Sequence, residues 1–153
     1  SVLFSHQRLK EGNDSILNWR DLEKIVLNAP NRVLMSINGQ EHIDHAENVG
    51  GIWYYNMNSI SNYWLGTEYP NMERYPAEIY EKYPNIKYVV PDTKAAYGII
   101  TMDYNGAEVK GTKGEFVGIS PEEQGVYEKG SYYDRLLGGV KITPSVKDRY
   151  MKF

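Results

Sequence analysis

Residues 2–6 (VLFSH) and 32–37 (RVLMSI) contain two short apolar runs, and a helical pattern lies between them. Short apolar runs of this kind are typical of strands buried in a parallel sheet. The helical pattern begins after Asn18, a good N-cap, and must end at Pro30, which cannot continue a helix. Its apolar positions have the spacing of one helix face: Trp19, Leu22, Ile25, Val26 and Ala29. The order strand, helix, strand predicts a βαβ unit and the α/β fold class.

Composition is that of one globular domain. The chain has 153 residues, of which 41% are hydrophobic and 24% charged, and its formal net charge is -3. Lysine and arginine are scattered without runs, so we expect neither nucleic acid nor an anionic membrane as a partner. No apolar run approaches the roughly 18 residues that span a bilayer, so we expect a soluble protein, with the cytoplasm favoured over an otherwise open choice of compartment. The absence of cysteine excludes disulfides, thiolate zinc sites and cysteine nucleophiles.

Turn-forming residues divide the chain beyond residue 50 into short elements. The pair Asn105-Gly106 lies between two β-prone runs, which predicts a type I′ hairpin because that turn needs a positive φ at both central residues. A β-hairpin-rich C-terminal region is therefore expected. The other expectations are a strand at 52–57, a loop at 58–71, a short helix at 77–83, strands at 86–90 and 116–119, a loop at 120–139 and extended structure at 140–153.

Two of the three histidines follow the two strands of the predicted βαβ unit. His6 comes directly after the first apolar run, and His42 follows the second after a short polar turn. Reactive groups of α/β proteins gather beyond the carboxyl ends of parallel strands, and imidazole is a common metal ligand and acid–base group. We therefore expect the His6 and His42 imidazoles to face one cleft. His45 is expected to be an exposed loop residue.

The segment Gly39-Gln40-Glu41-His42 resembles the Gly-His-x-His metal motif of the calcineurin-like metallophosphoesterases. Residues 2–6, a strand ending in one histidine, are similar to the family's preceding motif, and residues 142–149 resemble the closing segment of some members. The resemblance implies a metallophosphoesterase-type αββα sandwich that hydrolyses phosphate mono- or diesters. It also implies two divalent ions, Mn, Fe or Zn, about 3.5–4 Å apart, which clamp the phosphate and activate water. By that resemblance His6 binds one ion, His42 binds the other, and Gln40 occupies the place of a ligand shared with the His6 ion.

Two departures from the family pattern bear on activity. Gln40 stands where the family has histidine, and an amide oxygen is a poorer ligand than imidazole for a transition metal. The family's Asp-x-His, bridging Asp and Asn-His motifs, which belong to its N-terminal half, are absent from residues 1–153. We therefore expect one metallophosphoesterase domain, 1–153, that is the C-terminal part of a longer chain and is inactive alone. One of the two βαβ strands is expected to be a sheet edge.

Two other interpretations stay open on the sequence. A degenerate, metal-free domain that binds partners through its Tyr- and Trp-rich surface is favoured by Gln40 and opposed by the retained His6 and His42. A structural α/β module with incidental histidines would direct those two side chains away from each other.

Overall fold

A computed structural model describes residues 1–12, 15–29, 32–131, 133 and 139–153. Its first part is a four-stranded sheet with one helix, which we call the mixed sheet because it contains parallel and antiparallel pairs. The elements are β1 (Val2–Phe4), α1 (Trp19–Leu27), β2 (Met35–Asn38), β3 (His45–Val49) and β4 (Ile52–Asn56). The strand order is β1-β2-β4-β3, so β1 is one edge, as expected for a strand of the βαβ unit. β1 pairs parallel with β2 and β2 with β4, which confirms the βαβ strand pairing and a mixed α/β class.

An antiparallel hairpin of β3 and β4 corrects the expectation for His45. That residue begins β3, pairs with Asn56 and is half-buried, so it is not an exposed loop residue. The hairpin turns at Gly50-Gly51, whose φ angles are 60° and 82°. These are the two positive φ angles that a type I′ turn requires, and glycine adopts them without steric cost.

Three antiparallel strands near the end of the chain form a second sheet, which we call the hairpin sheet. They are β7 (Gly98–Met102), β8 (Gly106–Gly111) and β9 (Arg149–Lys152), in the order β7-β8-β9. The predicted hairpin is therefore confirmed. The predicted extended segment 140–153 is regular only in β9, where it pairs with β8.

The turn of this hairpin is not type I′, because neither Asn105 nor Gly106 has a positive φ. Instead, the Asp103 carboxylate accepts hydrogen bonds from the backbone N–H groups of Asn105 (2.7 Å) and Gly106 (3.0 Å), which closes a wider turn. Gly106 lies within β8, where a Cβ atom would be 2.6 Å from the carbonyl oxygen of Met151. Close approach of β9, not turn geometry, is what requires glycine here.

Short elements connect the two sheets. Residues 62–64 and 89–91 pair as antiparallel strands, so the predicted loop 58–71 contains a strand, and the predicted strand 86–90 begins instead as a 3-10 helix. Phe116 makes only an isolated bridge to Asp92, so residues 116–119 are not a strand. Residue 132 and residues 134–138 of the predicted loop 120–139 lie outside the described residues, as does Pro30. The connecting elements are β5 (Asn62–Trp64), α2 (Ala77–Lys82), a 3-10 helix (Pro84–Tyr88) and β6 (Val89–Pro91).

Two layers pack against the mixed sheet, one on each face. Met35 and Ile37 of β2 and Tyr55 of β4 share one core with Val109 and Met151 of the hairpin sheet. On the other face α1 packs through a second core of Val26, Val33, Ile52 and Tyr54. All four residues of β2 are buried because the strand is covered on both faces. Within the described ranges, no helix has the length and apolar character needed to cross a membrane.

Candidate functional site

The carboxyl ends of β1 and β2 bring the two predicted histidine segments together. Because the strands are parallel, His6 and the turn of residues 39–42 leave the sheet at the same edge. The His6 carbonyl oxygen accepts hydrogen bonds from the backbone N–H groups of Gly39 (3.4 Å) and Gln40 (3.1 Å). The His6 segment and the Gln40 segment are thus in direct backbone contact. His6 is exposed, whereas Gln40 and His42 are half-buried.

His42 has an unusual backbone conformation. Its φ of 54° is the only positive φ among the described non-glycine residues, and its backbone N–H donates to the Gly39 carbonyl at 3.4 Å. An L-residue in the left-handed region costs free energy that the surrounding structure must offset, and such residues cluster at functional sites. Burial and the neighbouring charge of His6 lower the pKa of His42 from its ordinary value of 6.5. His42 is therefore held mainly as neutral imidazole at neutral pH, the form that binds metals.

Two cations fasten the loop after β1 to the opposite edge of the sheet. Arg8 forms ion pairs with Glu41 (Nη1–Oε1 3.3 Å) and with Glu47 of β3, and Lys10 contacts Glu47 (Nζ–Oε2 2.9 Å). Burial pushes the pKa of Glu47 up, but the hydrogen bond from Lys10 and the charge of Arg8 outweigh it, so this pKa is lowered overall. The carboxylates of Glu41 and Glu47 are therefore both engaged by cations.

The metal ligands available at this edge form a partial set. Among the described residues, no group of three or more His, Cys, Asp or Glu side chains is placed to hold a metal ion. The two imidazoles of His6 and His42, with the Gln40 amide, would supply too few ligands and no negative charge for two divalent ions. These residues are therefore too few to form a complete dinuclear site.

A buried pair of asparagines supports the site from below, and the sequence reasoning missed it. Asn38 at the end of β2 donates from Nδ2 to Oδ1 of Asn56 at the end of β4 (2.7 Å), and Asn56 Nδ2 donates to the Ile43 carbonyl oxygen (2.9 Å). Buried amides are stable only when hydrogen-bonded, so the pair fixes the chain directly after His42. The available signal was an Asn at the last position of two neighbouring apolar strands.

Asp44 anchors the same segment to the hairpin sheet. Its side chain is fully buried, pairs with Arg149 of β9, and accepts hydrogen bonds from the Lys147 backbone N–H (2.9 Å) and the Tyr55 hydroxyl (3.3 Å). The Arg149 guanidinium also lies over the Tyr55 ring, 5.0 Å from its centroid. Asp44 and Arg149 are 105 positions apart in the chain, so sequence spacing gave no signal for this contact.

No protein-family model, curated protein or solved structure matches the chain. A family assignment consequently depends on the site residues and the fold around them.

Proposed function

We propose that this chain is the C-terminal part of a calcineurin-like metallophosphoesterase, in which His6 and His42 bind one divalent ion each. The observation that carries the proposal is the position of both histidines at one edge of a parallel strand pair. Their segments are joined there by the hydrogen bonds from Gly39 and Gln40 to the His6 carbonyl. Phosphate mono- or diesters are the proposed substrate class.

The fold around this edge agrees with the proposal. An αββα sandwich has two sheets between two helical layers, and the described residues contain one helical layer, the mixed sheet and the hairpin sheet in that order. The left-handed backbone of His42 is a further support, because this conformation is uncommon among non-glycine residues and is found often at functional sites. The strand-end asparagines below it hold the segment rigidly, as a metal site requires.

The chain's own residues have separable roles in this proposal. His6 and His42 would each offer one ring nitrogen, and Gln40 would offer only a weak amide ligand beside His6. In the family, two bound ions polarise the phosphate and activate a water molecule. Because Arg8 and Lys10 engage Glu41 and Glu47, we propose that the carboxylates that balance the metal charge come from outside these 153 residues. The 153 residues alone should then bind metal weakly and leave phosphate esters intact.

The first experiment measures metal binding by the 153-residue chain. Isothermal titration with Zn²⁺ and with Mn²⁺ is compared for the wild type, His6→Ala and His42→Ala, with His45→Ala as the matched control. We expect each of the first two substitutions to weaken Zn²⁺ binding at least about tenfold and the control to leave it unchanged. Zn²⁺ binding that neither His6→Ala nor His42→Ala weakens would contradict the proposal and favour the metal-free interaction domain.

The second experiment examines Gln40 in a chain that supplies the remaining ligands. Hydrolysis of bis(p-nitrophenyl) phosphate and metal stoichiometry are compared for Gln40 and Gln40→His. Restoring an imidazole should tighten the ion shared with His6 by about tenfold or more and raise turnover. If the unmodified protein already holds two ions tightly and the substitution changes neither quantity, Gln40 does not stand in a ligand position.

A further inference from the structure

A polar cleft of about 490 Å³ opens beside β3 and the amino end of β9, beyond the strand ends at which His6 and His42 lie. Three cationic residues contribute to its lining: Lys141, Lys147 and Arg149. His45 lines the same cleft from the start of β3. None of these four residues is a proposed metal ligand.

Of the residues that the structure describes, Asp44 is the one acidic residue that lines the cleft, and its carboxylate is already hydrogen-bonded within the protein. Asp44 has no exposed side-chain surface, and its oxygens accept from Arg149, the Lys147 backbone N–H and the Tyr55 hydroxyl. It therefore fixes Arg149 at the floor of the cleft and neutralises its charge, so the net positive charge of the cleft comes from the two lysines. Because Asp44 is buried, a ligand in the cleft would meet the cations before it met the carboxylate.

The two lysines are placed differently from Arg149. Both are exposed residues, and Lys141 forms a surface ion pair with Glu122 (Nζ–Oε1 2.6 Å), a contact that solvent screens. The Lys147 side chain makes no ion pair within the described residues. A fixed guanidinium with two adjustable ammonium groups is an arrangement suited to an oxyanion with several acceptor atoms.

We propose that this cleft binds a phosphate group, through Arg149 at its floor and Lys141 and Lys147 at its rim. The chain carries a net charge of -3, so a concentration of cations in one cleft is not a consequence of overall composition. The ligand class is a phosphate dianion, either free or esterified. The inference does not depend on the metal proposal, because none of its residues is a proposed metal ligand.

The test measures phosphate binding by the metal-free chain in EDTA. Isothermal titration with inorganic phosphate, glycerol 2-phosphate and acetate is compared for the wild type and for Lys141→Met/Lys147→Met. The matched control is Lys94→Met/Lys113→Met, which removes the same charge from two exposed lysines elsewhere. Arg149 is left intact, since its loss would strand the buried Asp44.

We expect saturable phosphate binding that the Lys141/Lys147 double variant weakens about tenfold and that the control changes less than about twofold. Tighter binding of glycerol 2-phosphate would identify an esterified ligand, and tighter binding of inorganic phosphate would identify the free anion; both support the cleft. Equal weakening by the control, equal affinity for acetate, or no saturation below about 10 mM would overturn it. His6→Ala and His42→Ala should leave phosphate binding unchanged, so a failure of the metal proposal is distinguishable from a failure here.

Discussion

The mixed sheet and the hairpin sheet share one apolar core, but they differ in whether their polar contacts are buried or exposed. In the mixed sheet, Asn38 and Asn56 are buried at the ends of their strands and are hydrogen-bonded to each other. Asn56 also donates to the Ile43 carbonyl oxygen. Asp44 is buried directly before β3 and pairs with Arg149 of the hairpin sheet. In the hairpin sheet, Lys110 pairs with Glu108 (3.2 Å) and Asp148 (3.3 Å), and all three are exposed.

Burial determines what such contacts can do. A buried polar group left without a partner is costly, so the network beneath the histidine edge permits one arrangement of the chain. Exposed ion pairs contribute little and constrain little, because water replaces either partner. The buried contacts of the mixed sheet therefore fix the position of the chain directly after His42, whereas the hairpin sheet mainly covers the apolar core.

Removing the acidic partner from a buried ion pair should lower stability far more than removing it from an exposed one. Asp44→Ala should lower the free energy of unfolding by roughly 3 kcal/mol, because Arg149, the Lys147 backbone N–H and the Tyr55 hydroxyl lose their common acceptor. Asp148→Ala should have a much smaller effect, since its contacts with Lys110 and with the Gly111 backbone N–H (2.9 Å) are exposed to solvent. Urea unfolding of both variants measures the difference. Equal losses of stability would break the contrast between the sheets.

A second expected effect concerns glycine in each region. Gly106→Ala should cost about 2 kcal/mol, because the new Cβ would lie 2.6 Å from the Met151 carbonyl oxygen and 2.7 Å from the Tyr150 ring. Gly39→Ala should change stability by less than about 0.5 kcal/mol, since a Cβ there meets nothing within 4 Å. Thermal and urea unfolding report both values. A tolerated alanine at position 106 would mean that β8 and β9 are less closely packed than described.

A smaller effect is expected at His42, where the backbone is in the left-handed region. His42→Val should lower stability by about 1 kcal/mol, because β-branched residues are poorly tolerated at positive φ. His42→Asn should keep the wild-type stability, as Asn adopts this conformation readily. Both variants should weaken Zn²⁺ binding at least about tenfold, as His42→Ala should, so stability and binding separate in the Asn variant. If His42→Asn destabilises the fold as much as His42→Val does, the histidine is retained for packing and not for a ligand role.

Local patterns in the sequence predicted the elements whose partners are close in the chain. The apolar runs and the helix between them predicted β1, α1 and β2, and Asn105-Gly106 correctly predicted a hairpin at β7–β8. The type I′ turn was expected at the wrong pair: two positive φ angles occur at Gly50-Gly51 instead. β3 was missed because His45–Val49 is a partly exposed edge strand without apolar alternation, held by backbone pairing with β4.

The site could be predicted only as far as strand order reaches. The placement of His6 and His42 at one end of the mixed sheet could be predicted because parallel strands end at the same edge of a sheet. The residues that support them could not, since the Asn38–Asn56 bond depends on β2 and β4 being neighbours and the Asp44–Arg149 pair on the packing of two sheets. Nothing in the local sequence of Arg149 distinguishes it from a solvated surface arginine.

The proposed metal site requires the side chains of His6 and His42 to lie close together, and an NMR titration of the imidazole signals is the direct test of this proximity. Burial and the nearby His6 place the pKa of His42 below 6.5 in the metal-free chain. His6→Ala should raise the pKa of His42 toward that value, because one of the two causes is removed, while His45→Ala should leave it unchanged. A His42 pKa that does not respond to His6→Ala, or that responds equally to His45→Ala, would contradict the claim.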